Sequence, residues 1–171
     1  YLLAIHGLTI GEPPVCDPAG ERKLIDALLD AIKTGAVRSA HDCSDGGLAV
    51  ALAECAMVER DAMLGFNVDL SPWEQLPHRA LLFGEAHGRV VVSTERADDV
   101  IAVATKHGVP ARVIGTVTLA SEGARFTIAD DAFAVPVEWL ARAFHDSIGV
   151  TMDGETPAEH AVTASHAPSN D

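Results

Sequence analysis

The run His41-Asp42-Cys43-Ser44-Asp45-Gly46-Gly47-Leu48 constrains this chain more than any other, because it demands a strand, a tight turn and a helix in quick succession. Ahead of it, Val37-Arg38-Ser39-Ala40 reads as a short strand ending at His41. Behind it, Leu48, Ala51, Leu52 and Cys55 recur at helical spacing, so a helix is expected over about 45–58 with those four residues toward the core. Ser44 suits the N-cap and Asp45 the positive end of the helix dipole. Gly46-Gly47 lets another group approach the first-turn amides. Two readings stay open at this point: a cradle for an anion or phosphoester, and a plain turn that packs helix closely on strand.

A second run, Phe83-Gly84-Glu85-Ala86-His87-Gly88-Arg89-Val90-Val91-Val92-Ser93, sets a glycine loop before a continuous apolar strand. Arg89 offers planar, bidentate recognition of a carboxylate or phosphate. It is also placed to clamp its own loop by pairing with Glu85. If both runs line one cleft, the amides of Asp45, Gly46 and Gly47 should face a phosphate or a carboxylate of a neighbouring domain. Gly47→Val is then expected to weaken docking or phosphate binding more than folding.

Strands and helices alternate without strict βαβ order, so the expected class is α+β, a mixed, mostly antiparallel sheet with helices packed on one face. Asp17 with Pro18 should start a helix whose buried stripe is Leu24, Ile25, Leu28, Leu29 and Ile32, ended by Gly35. Leu64, Phe66, Val68 and Leu70 alternate with polar or small residues as a half-buried strand. A helix at about 96–107 should bury Val100, Ile101 and Ala104. Arg112–Thr118 and Ala124–Ile128 read as a strand pair around Ser121-Glu122-Gly123. Pro136 should open a last helix with Trp139, Leu140, Ala143 and Phe144 on one side. Residues 1–16 read as loop, 1–148 as one domain, and 149–171 as an acidic disordered tail without a Lys or Arg.

Charge narrows the partners. Twelve basic against 25 acidic residues leave a net charge of −13, which disfavours nucleic acid and anionic membranes. No apolar run approaches the roughly 20 residues of a membrane span. Cys16, Cys43 and Cys55 lack Cys-x-x-Cys spacing and read as reduced thiols of a cytoplasmic protein. Cys43 lies near a helix N-terminus, which would lower its pKa, although a nucleophilic role is not expected. Asp42, Asp45 and Glu54 suggest Mg²⁺, but nine helical residues separate Asp45 from Glu54 by about 13 Å, too far to share one ion. His41 can serve as a general base or be held by a neighbouring loop. The eight histidines include no His-x-x-x-His pair of the zinc-enzyme kind.

Together, His-Asp-x-Ser-Asp-Gly-Gly-Leu at 41–48 and Phe-Gly-Glu-x-x-Gly-Arg-Val-Val-Val-Ser at 83–93 resemble the C-terminal domain of the AIR-synthetase superfamily. Within it, the similarity is to the last such domain of the phosphoribosylformylglycinamidine synthases, over roughly residues 1–148. His87 stands where that family usually has Gln. The resemblance implies a synthetase that makes formylglycinamidine ribonucleotide from formylglycinamide ribonucleotide with ATP, Mg²⁺ and ammonia from a glutaminase subunit. It also implies that this domain is the auxiliary half, partnered by the remaining domains of the same longer polypeptide and inactive by itself. Substrate-side residues would be Ser44, Asp45, Gly46, Gly47, Glu85 and Arg89, none of them catalytic. Two alternatives are a non-catalytic phosphoester-binding or scaffold module, and a domain of another superfamily member such as selenophosphate synthetase or the hydrogenase-maturation protein.

Overall fold

The computed structural model describes residues 2–152. They form two compact units: residues up to Leu52 with Trp73–Ile114, and Ala53–Pro72 with the chain from Gly115 onward. The class is α+β, with helices and mixed open sheets, although the strands divide between two sheets instead of sharing one.

In the first unit, helix α1 (Leu2–His6) occupies part of the stretch read as loop, and α2 spans Pro18–Lys33. The start of α2 follows its sequence signal: Asp17 Oδ1 accepts the Ala19 amide at 3.1 Å and Pro18 opens the helix. Its buried face is rotated from the expected stripe. Ala27 and Ala31 are buried with Leu24 and Leu28 half-buried, whereas Ile25, Leu29 and Ile32 stay about half exposed. The contact is with helix α5 (Ala97–Lys106), and small alanines let two helices approach closely where large aliphatics would hold them apart. On α5 only Ala104 is buried; Val100 and Ile101 are half-buried.

Strand β1 (Ser39–Asp42) pairs antiparallel with β3 (Val90–Ser93), Ser39 opposite Ser93 and Asp42 opposite Val90. All four β3 residues are half-buried, so a two-stranded sheet does not cover the valine run on both faces. Helix α3 (Gly47–Met57) follows β1, and α4 (His78–Phe83) precedes the second glycine loop. Apolar nearly all round, α3 buries Ala51, Leu52, Ala53, Ala56 and Met57, whereas Leu48 and Cys55, expected in the core, are half-buried.

His107, just past α5, ties that helix to α2 through Nε2 to Asp30 Oδ2 at 2.8 Å. The Asp30 carboxyl is held below its ordinary 3.8 chiefly by this hydrogen bond; desolvation, the next largest effect, opposes it, and the charges of His107, Lys106 and Lys33 add to the lowering. A depressed carboxylate stabilises the fold above its unfolded pKa, and that contribution is lost as pH falls through the folded value. His107→Ala should therefore lower the denaturation midpoint above about pH 4. The gap to the parent chain should close as the medium becomes more acidic; a gap independent of pH would count against this account.

In the second unit, β2 (Leu64–Asp69), β4 (Gly115–Leu119), β5 (Ala124–Ile128) and β6 (Asp131–Val135) form a sheet in the order β4-β2-β5-β6. β4 and β5, expected to pair with each other, instead flank β2, the first antiparallel and the second parallel. A 3₁₀ turn at Ala120–Glu122 and Gly123 at φ +78° carry the chain across between them. The alternation along β2 holds in its second half, with Phe66, Val68 and Leu70 buried, while Leu64 is 45% exposed. Phe66, Phe126 and Phe133 meet across three strands, the first pair edge to face with centroids 5.2 Å apart and the second stacked at 5.0 Å.

Strand β6 has no counterpart in the sequence reading. It returns from β5 through the two-residue loop Ala129-Asp130, with Ala129 at φ +52°. Positive φ at the first loop residue alone is the II′ hairpin pattern, which favours glycine there. Ala129→Gly is expected to stabilise the chain by about 0.5–1 kcal/mol, because the left-handed strain exceeds the entropy glycine adds to the unfolded state. Thermal unfolding checks this, and a lower Tm would contradict it.

Helix α6 (Val137–His145) begins after Pro136 and buries Val137 and Ala141, leaving Trp139 and Leu140 half-buried and Phe144 half exposed. Helix α7 (Ser147–Met152) runs across the boundary expected at 148. The remainder of the expected tail, 153–171, lies outside the described residues.

Candidate functional site

Both glycine loops belong to the first unit and meet there. Helix α3 starts at Gly47, two residues later than a Ser44 cap requires, and Gly46 and Gly47 stand at φ +77° and +71°. Ser44 contributes its carbonyl to the turn, accepting the Gly47 amide at 3.2 Å. The cap falls to a residue 39 positions away: Glu85 Oε1 accepts the Gly46 amide at 2.9 Å. A carboxylate at the positive end of α3 is what the helix dipole favours, and here the chain supplies its own.

Gly47 is buried under the other loop. A Cβ placed on it would lie 2.8 Å from the Gly84 carbonyl oxygen and 2.9 Å from the Phe83 carbonyl carbon, both backbone atoms. Arg89 Nη2 donates to that same Gly84 oxygen, and the Arg89 carbonyl accepts the Cys43 amide at 3.0 Å. Among the described residues Glu85 and Arg89 form no ion pair, so the expected direct clamp is replaced by two separate ties, one within the loop and one between loops. Arg89 Nε is buried and has no acceptor among the described residues.

The remaining candidates are dispersed. Ser44 and Asp45 are exposed beside the latch, and Asp42 is exposed at the end of β1. His41 is half-buried, its Nδ1 2.8 Å from the Asp42 carbonyl oxygen. Cys43 is buried, and burial pushes its thiol above the ordinary value, with Arg89 opposing and Asp42 adding to the effect. That reverses the lowering expected from helix-end position, and a raised pKa disfavours the thiolate a nucleophile needs. His87 is exposed and, with Gly88, lines a cleft of about 350 Å³ against Asp17, Glu21 and Lys23 at the start of α2. No signal in the sequence placed those two segments together. Among the described residues no three His, Cys, Asp or Glu side chains gather as a metal-binding group, and no helix is long and apolar enough to cross a membrane.

An α+β chain whose strand–glycine–helix turn is latched by the Gly-Glu-x-x-Gly-Arg loop matches the family described as "AIR synthase related protein, C-terminal domain" over residues 1–127, and it belongs to that family. Its relatives are more particular. The phosphoribosylformylglycinamidine synthase subunit PurL of Deinococcus radiodurans is 39% identical over 152 residues, covering 86% of this chain and 20% of the relative. Thermotoga maritima PurL complexed with FGAR superposes at a TM-score of 0.67 with 27% identity, over 81% of this chain and 24% of that one. The same protein has been solved with ATP, at a TM-score of 0.65, 29% identity and coverage of 74% and 22%. It has also been solved within PurLQS, at 0.64, 26% identity and coverage of 82% and 24%. The chain thus spans about a fifth of the length of the curated relatives it matches.

Proposed function

We propose that this chain serves a phosphoribosylformylglycinamidine synthase as its auxiliary AIR-synthetase-type domain, in the cytoplasm and in purine biosynthesis. The observation that carries the reading is the 39% identity to a PurL subunit across 86% of the chain. The whole enzyme would transfer the γ-phosphoryl group of ATP to the amide oxygen of formylglycinamide ribonucleotide, giving an iminophosphate and ADP. Ammonia from a glutaminase subunit would then add at that carbon and expel phosphate, leaving the amidine. Phosphoryl transfer of this kind depends on positioned cations around the phosphates. Among the described residues no three His, Cys, Asp or Glu side chains gather as a ligand group. In this proposal Mg²⁺ and the groups that act on ATP belong to the remaining domains.

Within this domain, Ser44 and Asp45 form the ligand-side lip, while Gly46, Gly47, Glu85 and Arg89 frame it. The Glu85 carboxylate on the Gly46 amide supports a framing role over an open phosphate cradle, which also disfavours a free-standing phosphoester-binding module. Assays of the 171-residue chain and of a longer polypeptide containing it, each with formylglycinamide ribonucleotide, ATP and ammonia, test the proposal. ADP and the amidine should form only with the longer polypeptide. Turnover by the 171-residue chain alone, or none by either, would overturn it.

A further inference from the structure

Asp45-Gly46 is an exposed acid followed by glycine, the residue that crowds its own amide nitrogen least. In such a pair the nitrogen can attack the preceding side chain and close a succinimide ring. Substitution at 46 offers no escape. Gly46 stands at φ +77°, and a Cβ there would lie 2.4 Å from Val50 Cγ2 and 2.8 Å from Val50 Cβ. Restraint on the reaction has to come from the fold.

Two features supply it. The Gly47 amide donates to the Ser44 carbonyl, Gly46 has positive φ and Asp45 does not, which defines a type II turn with Asp45 first of the central pair. A type II turn holds that residue at ψ of about +120°, whereas closing the ring on an L-residue needs about −120°. The Asp45–Gly46 peptide unit must therefore turn over before the ring can form. Glu85 Oε1 accepts the Gly46 amide at 2.9 Å, so turning over also breaks a charge-assisted hydrogen bond.

We propose that Asp45-Gly46 is a site of spontaneous aspartate isomerisation, and that Glu85 guards it by holding the Gly46 amide. In the first step an N–Cγ bond forms, the Gly46 nitrogen gives up its proton, and the protonated Asp45 carboxyl loses its hydroxyl, so that one water leaves. Water then opens the ring at either carbonyl, returning aspartate or giving isoaspartate, with no other reactant consumed. Isoaspartate carries the main chain through Cβ and Cγ and so lengthens it by one carbon. Gly47, pressed under the Gly84 and Phe83 backbone, leaves no room for that. The modified turn would lose its latch.

Isoaspartate at this pair is measured by methyltransferase labelling and peptide mapping of the 171-residue chain during incubation at mildly acidic pH. The digest must separate it from Asp153-Gly154, the other Asp-Gly pair in the sequence. A synthetic peptide of residues 41–51 gives the unrestrained rate, and the parent chain should be slower than it. Glu85→Ala should raise the rate about tenfold, the population change that goes with one hydrogen bond to a charged group. Glu85→Asp keeps the charge but falls a methylene short, so it should act in the same way and serves if Glu85→Ala does not fold. Glu85→Gln keeps an acceptor and should stay near the parent, and Asp45→Glu should abolish the signal. A parent chain that isomerises as fast as the peptide would overturn the proposal. So would Glu85→Ala and Glu85→Asp that are folded by circular dichroism yet as slow as the parent.

Discussion

Gly47→Val is expected to unfold much of the population, lowering stability by roughly 3–6 kcal/mol. Two costs add. The native φ of +71° lies where an L-residue is strained, most of all a β-branched one. The new Cβ would also press on the Gly84 carbonyl oxygen at 2.8 Å and on the Phe83 backbone. Those atoms cannot swing aside as a flexible side chain could. Arg89 holds the Gly84 oxygen, and the next residue, Glu85, is tied to Gly46. Sequence alone placed the main effect of this substitution on docking; contact between two backbones moves it to folding. Glu85→Gln keeps an acceptor for the Gly46 amide at an exposed position and should cost less than about 1 kcal/mol. A urea midpoint for Gly47→Val within error of the parent would refute the latch, as would Glu85→Gln proving the more damaging of the two.

Leu70→Ala should be the next most damaging change, at about 2–5 kcal/mol. Leu70 follows β2, is wholly buried, and has its backbone held by donation from its amide to Thr127 O at 2.8 Å. Asp69 fixes the chain immediately beyond, accepting the Ser71 amide at 2.9 Å and its hydroxyl at 2.5 Å. With both flanks anchored, the backbone cannot collapse into the space a deleted isobutyl group leaves, so a cavity remains and adds to the lost transfer free energy. For a chain of this length the change corresponds to a fall in Tm of roughly 5–15 °C, measurable by calorimetry. A shift no larger than that of a surface substitution would show that the pocket refills or that Leu70 is less enclosed than its contacts indicate.

What the sequence determined by itself is local. Asp17-Pro18 started α2 because a carboxylate cap and a proline with no amide to satisfy both act within one turn. The 64–70 alternation set a strand with one buried side, and the two glycine runs marked turns that only glycine tolerates, together with the family. Tertiary structure decided whatever depends on a partner distant in the chain. Ala27 and Ala31 displaced Ile25, Leu29 and Ile32 from the α2 core because a helix chooses its buried face by what packs on it. β2 came between β4 and β5 because pairing order rests on long-range hydrogen bonds that strand patterning does not encode. Cys43 gained a raised pKa because burial outweighs proximity to a helix end. The cap of α3 passed from adjacent Ser44 to Glu85 because both side chains have the chemistry to accept an amide proton, and only the folded chain places one of them within 2.9 Å of Gly46.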